Sequence, residues 1–237
     1  MIVFLAGDIH GRVTQFYDKL LDFEKELGIH ADWVLQTGSF GVWPDPLRID
    51  RVTRRHADDV DFHKYYYNGI AVPRPTLFVA GRHEDHRWLN LKRDRGEMEV
   101  LPNLHWLLNG FKTNIGVSVV GLGKVYSPNT YRDRNIEPRR RLGHYTRGDI
   151  ERACSQGPTD VLLTHEAPKG LRFGNHHSEA EGIEKICFAT RPKLLVHGHY
   201  NVTTTNQTKT TRTRCLGLGY MEMEAWNFDN GEMHLIG

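Results

Sequence analysis

Cysteine is scarce in this chain of 237 residues: Cys154, Cys187 and Cys215 are the three present, far apart and without a Cys-x-x-Cys spacing. That excludes a disulfide framework, a thiolate zinc site and a redox dithiol, and it suits a reducing, cytoplasmic setting with small buried thiols. Long apolar runs are missing as well. None approaches the roughly 20 residues of a membrane helix, so no membrane-spanning role is expected. Net charge is slight, +2 from 31 basic and 29 acidic residues, so the whole-molecule field points to no partner. No repeat and no Gly-, Ser- or Pro-rich linker splits the sequence, which reads as one domain over 1–237. The opening Met1-Ile2-Val3-Phe4-Leu5-Ala6 turns polar too soon for a secretory leader and reads as a first strand.

What is present is a succession of apolar strands, each running into a glycine. Residues 2–7 are continuous and apolar, as in a strand buried on both faces. Val13, Phe16, Tyr17, Leu20, Leu21 and Leu27 then recur at helical spacing, with Gly28 as a C-cap. Trp33–Thr37 and Thr76–Ala80 read as further strands. Between them, 42–75 is polar and studded with Arg48, Arg51, Arg54, Arg55 and Tyr65-Tyr66-Tyr67, and is expected to be a helical insertion over the site. Leu104–Leu107, a turn at Asn109-Gly110 and Val117–Gly121 resemble a hairpin. Residues 124–147, with Arg132, Arg134, Arg139, Arg140, Arg141 and Arg147, read as an exposed basic loop. Thr146/Asp149 and Ser178/Glu181 have capping-box spacing and predict helix starts. Strands are expected at 161–163 and 194–196, and antiparallel strands through 203–218 and 222–236, the last pair turning at Asp229-Asn230-Gly231.

The chemistry sits at the strand ends: Gly7-Asp8-Ile9-His10-Gly11, Gly38-Ser39, Gly81-Arg82-His83-Glu84-Asp85, Thr164-His165, and His197-Gly198-His199-Tyr200-Asn201. Carboxylate and imidazole groups gathered in this way are what a metal site for phosphate chemistry requires. Alone, an Asp-x-His pair is more often a solvated loop. Five blocks in this order are not. The other histidines, His30, His56, His63, His86, His105, His144, His176 and His177, read as surface or loop residues.

In these blocks the chain resembles the calcineurin-like metallophosphoesterase superfamily. The resemblance implies an α/β fold, a four-layer α/β-β/α sandwich of two mixed sheets flanked by helices, with metals at the carboxyl ends of the strands. It implies metal-ligand ancestry for Asp8, His10, His165 and His199, and a general-acid role for His83, which Glu84 or Asp85 is expected to orient. Three slots depart from the pattern: Ser39 stands for the bridging aspartate, Arg82 for the asparagine and Asn201 for the last histidine. A hydroxyl bridges two cations poorly, and a guanidinium about 4 Å from a dication costs on the order of 8 kcal/mol at an effective dielectric of about 20. One divalent ion (Mn, Fe, Zn or Mg), on Asp8 and His10 with Ser39 and Asn201, is therefore expected before two. Arg82 is expected on substrate phosphate, in part replacing the absent cation, and Arg12 and Tyr200 are further substrate-binding candidates.

The expected activity is hydrolysis of a phosphomonoester or phosphodiester, in a small molecule or a nucleic acid, with Asp8, Arg82 and His83 as catalytic residues. Two alternatives accompany it. One is a non-catalytic protein that binds a phosphorylated ligand or a partner in the old cleft. The other is a metal-independent RNA phosphodiesterase in which the 2′-hydroxyl attacks and His83 with Arg82 suffices.

Overall fold

A computed structural model describes residues 1–132, 142–174, 176–229 and 232–236, apart from the side chains of residues 56–58. The basic residues Arg134, Arg139, Arg140 and Arg141, the side chain of His56, and the Asn230-Gly231 turn lie outside the described part.

Two sheets face one another. In the first, β1 (Ile2–Ala6), β2 (Trp33–Gln36), β3 (Thr76–Phe78) and β5 (Leu104–Trp106) run parallel, β4 (Glu99–Leu101) is antiparallel to β5, and β14 (Met223–Asp229) is antiparallel to both β1 and β15 (Glu232–Ile236), in the order β15-β14-β1-β2-β3-β5-β4. In the second, β7 (Ser118–Leu122), β8 (Val161–Thr164), β11 (Leu194–His197) and β13 (Arg214–Gly217) are parallel, flanked by antiparallel β6 (Lys112–Asn114) and β12 (Thr204–Gln207). A small ribbon pairs β9 (Arg172–Phe173) with β10 (His176–His177).

The strands' period of two sorts side chains between layers. Val3 and Leu5 of β1, Val161 and Leu163 of β8, and Leu194 and Val196 of β11 meet between the sheets. Their neighbours point outward: Phe4 and Ala6 pack beneath α1 (Val13–Leu27), and Leu162 and Leu195 pack beneath α5 (Arg147–Cys154) and α6 (Ile183–Thr190). This is the four-layer sandwich the motifs imply. Residues 42–75 contain short 3-10 turns at Pro46–Arg48 and Thr53–Asp59 and the helix α2 (Phe62–Asn68). Two further helices are α3 (His86–Asp94) and α4 (Pro128–Tyr131).

Two local expectations are corrected. Leu104–Leu107 and Val117–Gly121 do not form a hairpin: β5 belongs to the first sheet and β7 to the second, each with its own antiparallel neighbour. The Asn109-Gly110 segment carries the chain across, the Asn109 side chain accepting from Gly123 N. Ser178 does not cap a helix either. Its hydroxyl donates to Ala167 O and accepts from Ala180 N, and α6 begins after Gly182, at φ 94°. Thr146, by contrast, makes the reciprocal capping box with Asp149.

Candidate active site

The loops after β1, β2, β3, β8 and β11 gather at the carboxyl edge of the two sheets, where open α/β folds keep their ligands. The chain turns so sharply there that four of the motif residues occupy the left-handed region: His10 (φ 51°), Ser39 (φ 49°), His199 (φ 72°) and Asn201 (φ 54°). Non-glycine residues held at positive φ store strain that the surrounding structure must offset, and such strain concentrates at functional sites. Glycine is required between them: a Cβ on Gly198 would run into the Asp8 carboxylate and the Thr37 hydroxyl.

Asp8 is 3% exposed. Its Oδ1 accepts from His199 N at 2.9 Å, and its Oδ2 lies 3.4 Å from His10 Nε2. Burial alone would raise its pKa, but the charges of His165 and His10 and these hydrogen bonds outweigh that and hold it below the usual carboxylate value. The His165 and His199 rings are 4.9 Å apart. Burial lowers both, His199 to about 3. The structure thus brings together Asp8, His10, His165 and His199.

The donor set does not fit two metal ions. His165 Nδ1 sits 2.9 Å from the Thr37 carbonyl and so carries the proton, leaving the Nε2 lone pair as the donor a cation would use. That lone pair is already taken: Arg82 N donates to it at 3.3 Å, and Ser39 Oγ is 3.4 Å away. Ser39, fully buried, also accepts from Arg82 N at 3.2 Å. The positive end of a peptide N–H therefore occupies the ground where a second cation and its bridging carboxylate would lie. Among the described residues no three His, Cys, Asp or Glu side chains form a metal-holding group. For a single ion, Asp8 and His10 are the ionisable donors, with the Asn201 amide on the wall shared with His10.

His83 is placed differently from expectation. Its Nδ1 is 2.9 Å from Asp50 Oδ2, a carboxylate supplied by the 42–75 segment. Asp50 also accepts from Val52 N, Thr53 N and Thr53 Oγ1. These bonds and the His83 contact overcome its burial and hold the carboxyl well below the usual range, so it is ionised at neutral pH. Glu84 and Asp85 do not orient His83. Both carboxylate oxygens of Glu84 are consumed by four backbone N–H donors, Phe40, Gly41, Val42 and Gly81, and Asp85 caps α3 and pairs with Arg48 at 2.9 Å. His86 is not a surface histidine: it opens α3 with both ring nitrogens shut off from solvent, and burial lowers it to about 3.

A cavity of about 490 Å³ opens beside this cluster, lined by His10, Arg12, Val52, Thr53, Asn201 and Tyr220. Arg12 pairs with Asp59 at 2.7 Å and lies over the Tyr220 ring at 5.7 Å. The His10 and His83 rings are 4.9 Å apart, which joins the cavity to the Asp50–His83 pair. Arg82 is exposed and not among the cavity walls, its charge felt by Glu166 and His199. Tyr200 is not among the cavity walls: it stacks on Phe173 at 4.0 Å and sets its edge against His199. Asp50, Thr53, Glu166 and Tyr220 carry no motif signal in the sequence; proximity to His83, His199 and His10 is visible only in the fold.

Two facing sheets with an acid-imidazole cluster at their common carboxyl edge define a phosphoester-hydrolase scaffold. The calcineurin-like phosphoesterase family model matches residues 1–202, and the chain belongs to that family. Among curated relatives, the chain is 27% identical to the lariat debranching enzyme of Drosophila pseudoobscura pseudoobscura over 74% of its own length and 34% of that protein's. It is 23% identical to the lariat debranching enzyme of Entamoeba histolytica, over 82% of the chain and 62% of the relative. The chain thus spans less than two thirds of these relatives. Among solved structures, TT1561 of Thermus thermophilus superposes with a TM-score of 0.57 at 12% identity, covering 99% of this chain and 97% of that one. A putative 5′-nucleotidase from Staphylococcus aureus gives 0.51 at 13% identity, over 99% and 52%. At those identities the likeness is one of fold.

Proposed function

We propose that the chain is a phosphodiesterase acting on RNA in the cytoplasm, with His83 as general acid. The observation that carries this reading is the 2.9 Å Asp50–His83 contact beside the His10-lined cavity. With Nδ1–H donated to Asp50, Nε2 is the nitrogen free to exchange a proton with substrate. Water adds to phosphorus, the P–O bond to the leaving ribose opens, and the His83 proton passes to that oxygen; the water's proton goes to solvent, from which the imidazole is recharged. The exposed Arg82 takes a non-bridging phosphate oxygen and offsets its charge, and Arg12 meets the neighbouring part of the substrate. A single divalent ion would be held by Asp8 and His10 with a neutral oxygen from Asn201, Ser39 being held instead against Arg82 N and His165, and would supply further charge neutralisation at phosphate. The similarity to lariat debranching enzymes over most of the chain supports RNA as substrate.

A second reading is favoured by one feature, the Arg82 N–H that caps the His165 lone pair: the cleft binds phosphorylated RNA without cleaving it. A panel of linear and branched RNA, aryl phosphodiesters and phosphomonoesters, run with manganese and with a chelator, separates the readings. Turnover of phosphodiesters, abolished in His83→Ala with phosphate binding retained, is expected. Binding without turnover under every condition refutes catalysis, and equal loss of binding in His83→Ala refutes the acid role. Activity that persists in chelator with cyclic phosphate ends assigns the attack to the 2′-hydroxyl.

A further inference from the structure

Away from the Asp50–His83 pair, a second cavity of about 400 Å³ lies between α3, the 107–111 crossover and α5. Three cations line it, Arg93, Lys124 and Arg152, against the single carboxylate of Asp149. That carboxylate is already engaged by Arg152 Nη1 at 3.0 Å and by Thr146 N and Oγ1. Arg93 shares Nε and Nη2 with the exposed Asp94 and keeps its remaining nitrogen. The Lys124 ammonium has no hydrogen-bond partner among the described residues, and burial holds its pKa below the ordinary value, with the Asp149 charge opposing.

Two buried donors on the same walls also have no partner among the described residues. Trp106, 4% exposed, has an unsatisfied Nε1–H, and Asn109, 8% exposed, has an unsatisfied Nδ2. The Asn109 amide is fixed in its orientation because Oδ1 accepts from Gly123 N at 2.8 Å. Buried donors left without acceptors cost free energy, and such groups call for an explanation. An excess of donors and cations over acceptors is the complement of an anion. The mouth of the cavity adds an aromatic face: Phe111 is 46% exposed, with the Arg152 guanidinium 5.1 Å from its ring centre.

We propose that this cavity is a nucleotide subsite for one single-stranded leg of an RNA, Lys124 and Arg93 taking a phosphate and Phe111 with Arg152 taking a base. The inference rests on the RNA reading above. Base stacking on an exposed aromatic side chain, with cations tracking the backbone, is the general mode by which single strands are held.

The test uses the whole chain, a short fluorescein-labelled single-stranded RNA read by anisotropy across a salt series, and an aryl phosphodiester as a probe of the catalytic cleft alone. Arg93→Gln with Lys124→Gln is expected to weaken RNA binding about tenfold and to flatten the log–log salt slope by about 1.4, roughly 0.7 for each cation removed from the phosphate. Phe111→Ala, an exposed position chosen in case the double variant folds poorly, is expected to weaken binding about tenfold without changing the slope. Aryl phosphodiester turnover is expected to be unchanged in both. The same loss of RNA affinity in a chain that turns over no phosphodiester supports the subsite and refutes the catalytic reading. Unchanged affinity and slope in both folded variants, or absence of RNA binding by the natural chain, overturns the subsite.

Discussion

Replacing Asp50 by asparagine isolates the pair on which acid catalysis depends. The Oδ1 contacts to Val52 N and Thr53 N at 2.7 and 3.0 Å can survive the change. The Oδ2 position, 2.9 Å from His83 Nδ1 and 2.8 Å from Thr53 Oγ1, can become an amide NH₂. An amide donor there opposes a proton on Nδ1 and withdraws the negative charge that stabilises an imidazolium. A charge-assisted hydrogen bond is worth about 1.5–3 kcal/mol. The Asp50 side chain is 30% exposed, so solvent screens part of it, and the lower half of that range applies. At about 1.4 kcal/mol per decade the expected loss is about 10- to 40-fold in kcat. KM is expected to change little, because Asp50 does not line the cavity with His10 and Arg12. Steady-state kinetics on an aryl phosphodiester, with thermal melts to show that the 50–53 turn is intact, provide the assay. A kcat within twofold of the natural chain, in a protein that His83→Ala inactivates, refutes the orienting role of Asp50.

Two further outcomes are expected. Ser39→Asp with Arg82→Asn restores a carboxylate and a carbonyl where a hydroxyl and a guanidinium stand, and should raise bound divalent metal per chain and aryl phosphodiesterase activity; elemental analysis showing no change removes the assignment of those positions. Glu24, 2% exposed, is held below its ordinary value of 4.5 because bonds from Arg74 and Ala31 N outweigh its burial. A depressed folded-state pKa contributes stability that is complete above about 4.5 and lost as pH falls below it, when the unfolded chain takes the proton first. Glu24→Gln should cost about 3 kcal/mol at pH 7 and flatten that acid limb in urea melts; an unchanged limb would show that other carboxylates carry it.

Much of the scaffold was legible because local signals and tertiary packing agree. The helical spacing from Val13 to Leu27 ends at Gly28, which is in the left-handed conformation that a C-cap needs. The apolar runs at 2–6, 161–164 and 194–197 are strands covered on both faces. The 104–121 region misled because a turn sequence between two apolar runs looks alike whether the strands pair or diverge to separate sheets. Ser178 misled because a hydroxyl satisfying a loop carbonyl has the same sequence signature as one capping a helix. In the site, the strand-end blocks identified which residues converge, among them Asp8, His10, His165 and His199. They did not identify the partner of His83, since Asp50 lies 33 positions away in a non-periodic segment. Nor did they show that Arg82 acts first through its backbone: an N–H bonded to His165 leaves no trace in residue type.

The most direct measurement is phosphodiester turnover plotted against bound manganese per chain, determined by elemental analysis on the same samples. Activity that reaches its plateau at or below one ion per chain is expected from a site in which the Arg82 N–H and Ser39 hydroxyl fill the place of a second cation. Activity that appears only as a second ion binds contradicts it.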